Sequence, residues 1–89
     1  MGVFRRFELH RDTDVSGVSG TGVVADGVEF PDQLTVRFDD GQHLTLPAGW
    51  VRLTWRGESS STALWPSVGD VEKVHGHNGA TRVVWVDPA

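Results

Sequence analysis

Leu34-Thr-Val-Arg-Phe38, Asp39-Asp-Gly41, His43-Leu-Thr-Leu46 and Val51-Arg-Leu-Thr-Trp55 follow one another with only short breaks. Leu34, Val36 and Phe38 alternate with Thr35 and Arg37, and Leu44 and Leu46 alternate with His43 and Thr45. A period of two with one apolar face is the pattern of a half-buried strand. Asp39-Asp40-Gly41 supplies the residues a tight turn needs, so these two runs predict a hairpin. Pro47-Ala48-Gly49 predicts a second turn. Val51, Leu53 and Trp55 then alternate with Arg52, Thr54 and Arg56. Three such strands in succession predict an antiparallel meander with one polar and one apolar face.

The same pattern extends outward. Val3 to Arg11 reads as a first strand, with Phe7 and Leu9 against Arg6, Glu8 and His10. Asp12 to Gly22 holds three glycines and no period, which predicts a loop. Val23 to Phe30 reads as a second strand, with Asp26-Gly27 marking a bulge or turn. Thr62 to Trp65 predicts a short strand. Ser67 stands three residues before Asp70 in a capping-box arrangement, and Val68, Val71 and Val74 recur at helical spacing. His75 and Gly76 then suit the end of a helix over about 68–75. In the last strand, Thr81 to Asp87, the continuous apolar run Val83-Val-Trp-Val86 predicts burial on both faces. The expected fold is mainly β: a small curled antiparallel sheet or open barrel of six to seven strands, with one short helix.

Eighty-nine residues allow one small β-rich domain over 1–89. No run approaches the roughly 18 apolar residues of a membrane span. Arg5, Arg6 and Glu8 stand where the apolar region of a signal peptide would fall. With no cysteine, disulfides and thiolate metal sites are excluded. These features predict a cytoplasmic protein with no membrane contact. A net charge of −4 disfavours general nucleic-acid binding, which needs a basic surface.

Several segments resemble a family of short, largely uncharacterised proteins of actinobacteria, their bacteriophages and haloarchaea. They are Phe7-Glu-Leu-His-Arg11, Asp14-Val-Ser-Gly-Val-Ser-Gly-Thr-Gly-Val-Val-Ala25, Gly27-Val-Glu-Phe30, Ser61-Thr-Ala-Leu-Trp65 and His75-Gly-His-Asn-Gly-Ala-Thr-Arg-Val-Val-Trp85. The resemblance implies a small cytoplasmic protein, phage-encoded or carried near phage genes, and implies no activity. The chain departs from the family between Pro31 and about Arg52, where a longer segment replaces a short turn.

Two motifs carry ligand chemistry. Ser16-Gly-Val-Ser-Gly-Thr-Gly22 offers backbone N–H groups and the hydroxyls of Ser16, Ser19 and Thr21, which suit a phosphate or another anion. It is no dinucleotide fingerprint, because a strand rather than a helix follows, and no P-loop, because no Gly-Lys-Ser/Thr follows. The plain alternative is a tight crossover between strands. In His75-Gly-His77 two imidazoles stand close enough to serve Zn²⁺ or Ni²⁺, with His10, Asp70 or Asp87 as a third ligand. The plain alternative is a helix end with His75 on the dipole and His77 in a turn.

Trp55 and Trp85 fall at core positions. Trp50, at a turn, and Trp65, before Pro66, are the tryptophans expected to offer an interface. In a simple register Thr35, Arg37, His43, Thr45, Arg52, Thr54 and Arg56 share one face. With Trp50 nearby they form a weaker candidate for single-stranded nucleic acid. Most of the eight aspartates fall in turns, and no catalytic constellation stands out. The sequence predicts a non-catalytic binding or adaptor module without a cofactor. It would act through a protein partner or as a homo-oligomer. The alternative is a small-ligand binder, for an anion, nucleotide or metal, using the glycine-rich loop and the His75/His77 turn.

Overall fold

A computed structural model describes residues 3–12, 21–57, 60–76 and 79–88. Seven strands and one helix follow in order: β1 (Arg5–Arg11), β2 (Gly22–Glu29), β3 (Leu34–Arg37), β4 (His43–Leu46), β5 (Val51–Trp55), β6 (Thr62–Trp65), α1 (Val68–His75) and β7 (Thr81–Trp85). Five strands form one antiparallel sheet in the order β6-β5-β2-β1-β7, and β3 and β4 form a separate two-stranded sheet. The architecture is mainly β and antiparallel, as the alternating pattern predicts. The sheet stays open, because β6 and β7 are its two edges.

The hairpin forms where its residues place it. Phe38 N donates to Gln42 O at 2.9 Å and Gly41 N to Phe38 O at 3.1 Å. Gly41 takes φ 86°, a left-handed conformation that closes a three-residue hairpin loop at low cost. The meander, however, is not formed. Strand β5 pairs with β2 and β6, not with β4. Side-chain alternation fixes which face of a strand is apolar, and says nothing about which strand lies beside it.

The main sheet has one apolar face. Phe7, Leu9, Val24, Ala25, Val51, Leu53 and Val71 form the buried core, with Trp55, Trp65, Val68 and Val83 packed against it. The two central strands meet at Phe7 and Gly27, which are directly opposed. Any Cβ at Gly27 would collide with the Phe7 ring. The glycine expected to break β2 therefore lies inside it and is covered by an aromatic ring. The bulge falls instead at Val24, which the register skips between Leu9↔Ala25 and His10↔Val23. Val24 and Ala25 are both buried as a result.

Helix α1 runs from the end of β6 to the start of β7. The Ser67 hydroxyl accepts from Asp70 N at 3.1 Å and donates to Asp70 Oδ2 at 2.8 Å, closing the expected N-terminal cap. Val71 is fully buried under the helix, whereas Val74, expected on the same apolar face, is 56% exposed. Eight residues give just over two turns, too short a stripe to bury every third or fourth residue.

Strand β7 corrects a second expectation. It is an edge strand, not one buried on both faces. Trp85 is 37% exposed and Val86 48%. The Trp85 ring meets Phe7 at 5.3 Å, and the Arg5 guanidinium lies 3.8 Å over it. After β7 the chain is strapped to β1. Arg6 donates from its main chain and side chain to Asp87, with three contacts of 2.9 Å.

Two tests follow from this packing. Gly27→Ala should destabilise the fold by about 1–3 kcal/mol, the usual cost of overpacking, read as a lower urea midpoint with an unchanged slope. The Arg6 contacts hold Asp87 at about 2, below its ordinary 3.8. A carboxylate lowered on folding adds stability above its ordinary value, and that stability is lost as pH falls toward the folded value. Asp87→Asn should therefore flatten the stability–pH curve between about pH 4 and pH 2, measured by urea titration at each pH.

Candidate functional site

Three strands end together at one end of the main sheet. Gly22 of β2 is opposite Arg11 of β1, and Arg11 is opposite Thr81 of β7. At about 4.8 Å per strand, Gly22 and Thr81 lie roughly 10 Å apart. Thr21, exposed, leads into β2 at this end. Gly76 and Gly79 flank the turn that leads into β7. The Gly76 carbonyl accepts from Gly79 N and from Thr81 N, each at 3.0 Å, and Asp12 N donates to Ala80 O at 2.9 Å. The flanks of the glycine-rich loop and of the histidine turn thus reach one place. Ser16, Ser19 and His77 lie outside the described residues.

Arg11 stands at the centre of this end and is 3% exposed. Its Nε donates to Thr81 Oγ1 at 2.9 Å, and its guanidinium carbon lies 5.8 Å from the Trp55 ring. A buried guanidinium needs such partners, since an isolated buried charge is costly. Sequence reading passed over Arg11, yet the signal is present. Phe7 and Leu9 point inward, and Arg11 continues that parity by two residues.

His75 is held by rings. It meets Trp55 at 4.8 Å and Trp65 at 5.4 Å, edge to face in both cases. Trp65 is therefore part of the packing below the helix end. Its Nε1 is buried without a hydrogen-bond partner among the described residues. The metal reading of His75 and His77 rests partly on a residue outside the described set. Among the described residues, no group of three His, Cys, Asp or Glu side chains comes together.

A groove of about 490 Å³ opens beside these residues, between α1 and β7. Glu72, Lys73 and Gly76 line it from the helix side, and Gly79, Thr81, Arg82, Val83 and Trp85 from the turn and strand. Its size lies within the range of small-molecule sites. Arg82 Nε lies 3.5 Å from Asp12 Oδ2, with both side chains more than half exposed, an arrangement that restrains the cation little. Lys73 makes no ion pair among the described residues.

The other expected surfaces come apart. Trp50 is 8% exposed, stacked on Phe30 at 4.0 Å, and its Nε1 donates to Asp32 O at 2.9 Å. It packs within the chain and presents no indole face as an interface. Thr35, Arg37, His43 and Thr45 belong to the small sheet, and Arg52 and Thr54 to the large one. They do not share a face. Arg56 is committed to a bidentate pair with Asp26, both contacts at 2.8 Å, which holds the Asp26 carboxyl below its ordinary pKa.

Fold and groove together define a small open-sheet α+β module with a polar cleft at a sheet edge. The chain belongs to the Acb5 phage protein family, whose model matches residues 4–43 and 35–87. The phage association implied by the motif resemblance is therefore met. No curated protein and no solved structure matches the chain.

Arg11→Met should remove the hydrogen bond to Thr81 and leave its hydroxyl short of a partner. The expected loss is about 1–3 kcal/mol, against about 0.5 kcal/mol or less for exposed Arg82→Met. Urea unfolding followed by tryptophan fluorescence compares the two.

Proposed function

We propose that this chain is a small, non-catalytic binding module that holds a small anionic ligand at the α1–β7 groove. One observation carries this reading: the Gly22–Arg11–Thr81 register sets the described flanks of the two motifs, Gly22 and Thr81, at a single end of the sheet, beside the groove that Thr81 lines. Lys73 and Arg82 give the groove its positive charge, and Trp85 gives it an aromatic wall. Phosphate-bearing ligands, nucleotides among them, combine the charge and ring such a groove would accept. Glu72, the acid of the lining, sets a limit on how much negative charge is tolerated.

Calorimetric titration with inorganic phosphate, nucleoside monophosphates and dinucleotides tests this reading. At least one should bind, and Lys73→Ala with Arg82→Ala together should weaken it by tenfold or more. Arg37→Ala, on the separate small sheet, should leave affinity unchanged. The ligand should be recovered chemically intact. Silence from every probe at millimolar concentration would remove the ligand reading, and a converted ligand would remove the word non-catalytic.

A second reading has its own observation. Val3, Phe4, Phe38, Leu44, Trp85 and Val86 are all large apolar side chains at least 37% exposed. A chain this short buries a small core and gains from association. Under this reading the module binds a protein partner or another copy of itself.

A further inference from the structure

We infer that β7 is the seam of a twofold dimer, in which two copies of this chain join their main sheets edge to edge. The inference rests on the association reading above and names its surface and its partner. It begins from a mismatch. Thr81-Arg-Val-Val-Trp85 has the composition of an interior strand, with three consecutive apolar residues. It nevertheless stands at the edge of the sheet. Edge strands are normally blunted by charged side chains, lysine above all, by proline or by a bulge. Strand β7 carries a single charged residue, Arg82, and neither lysine nor proline, and its register with β1 is unbroken from Thr81 to Trp85.

The backbone fixes how a neighbour would pair. Asp12 N donates to Ala80 O, and Val86 N donates to Arg6 O. In an antiparallel ladder this alternation directs the backbone groups of Arg82 and Val84 toward β1 and those of Thr81, Val83 and Trp85 outward. The outward N–H of Thr81 is already given to Gly76 O. Among the described residues, Val83 and Trp85 remain to bond a neighbour. A second β7, antiparallel and related by a twofold axis at Val84, uses both. Val83 of each copy then exchanges hydrogen bonds with Trp85 of the other.

The side chains agree with that register. Val83 lies opposite Trp85 of the second copy on the core face, a β-branched–aromatic pair of the kind that stabilises sheets. It covers an indole that is 37% exposed in one chain. Arg82 lies opposite Val86 of the other copy, so no like charges are directly opposed. On the helix layer, Glu72 and Lys73 line the side of α1 that faces β7. Each copy thus brings one acidic and one basic side chain to the β7 side of its helix, so the two copies carry balanced charge there. Such self-complementarity is what an isologous contact requires.

The chain has no cysteine, which makes a covalent test clean. Residues opposed on a twofold axis at a non-hydrogen-bonded position lie about 4.5 Å apart between Cα atoms, within disulfide range. Sedimentation of the unmodified chain should show a mass twice 9.7 kDa at micromolar concentration. Under mild oxidation Val84→Cys should form a disulfide dimer at least tenfold faster than Val74→Cys, whose site is exposed on α1. Val84→Lys alone should be monomeric, and mixing it with Val84→Glu should restore a dimer. Circular dichroism checks that each variant is folded. A dimer whose Val84→Cys form crosslinks no faster than Val74→Cys overturns the seam and leaves the association reading standing. A chain monomeric at millimolar concentration overturns the dimer, and association then rests on a different protein.

Discussion

The contact between Phe7 and Gly27 is the constraint from which the rest of the fold is built. Strands β1 and β2 are the inner strands between β5 and β7, so every other pairing in the main sheet hangs on their register. A ring lying flat across the neighbouring strand needs the space a missing side chain leaves, and Gly27 supplies it. Phe7 in that position touches Trp85 on its other side. One aromatic residue therefore spans three strands. Sliding β1 by a single residue would turn Arg6 and Glu8 inward and break the Arg6–Asp87 strap at once. In a domain with few core residues, such a register lock replaces the bulk of a larger core.

The outer face of the same sheet is arranged by electrostatics. Glu8 and Asp26 are directly opposed on β1 and β2, a placement that by itself destabilises a sheet. Arg56 offsets it, with bidentate contact to Asp26 and a longer approach of 3.9 Å to Glu8. His10 adds a contact of 2.8 Å to the other oxygen of Glu8. Glu8, Asp26, His10 and Arg56 are thus committed to one another. Arg5 is likewise committed to Glu29. The groove beside β7 differs, because Lys73 has no ion-pair partner among the described residues and Arg82 has only a long, exposed one.

Local chemistry was legible in the sequence and neighbourhood was not. Ser67, Asp70 and the valines after them give a helix whose bounds and cap are those expected. Asp39-Asp40-Gly41 gives the hairpin loop. Both depend on residues within a few positions of each other. The partner of β5 depends on long-range packing, and its alternation is equally consistent with β4 or β2. Val83-Val84-Trp85 was misread for a related reason. A run of apolar residues records that a strand wants cover on both faces, and it cannot say whether that cover comes from the same chain. At the candidate site, the loop and the turn were legible as motifs. Arg11, which bonds Thr81 beside the turn, is legible only through the inward parity it shares with Phe7 and Leu9.

The small hairpin bears on how the family's common core is delimited. Among the described residues its two strands pair only with each other, and Phe38 and Leu44 are 52% and 48% exposed. A lone two-stranded ribbon is marginal in water, so its order depends on its base. There Leu46 is buried and Trp50 stacks on Phe30. The two stretches matched by the family model overlap at residues 35–43, within this arm. The hairpin lengthens the β2–β5 connection without changing the order of the main sheet. No residue of β3 or β4 lines the groove or pairs with β7, so a change in the arm leaves both in place.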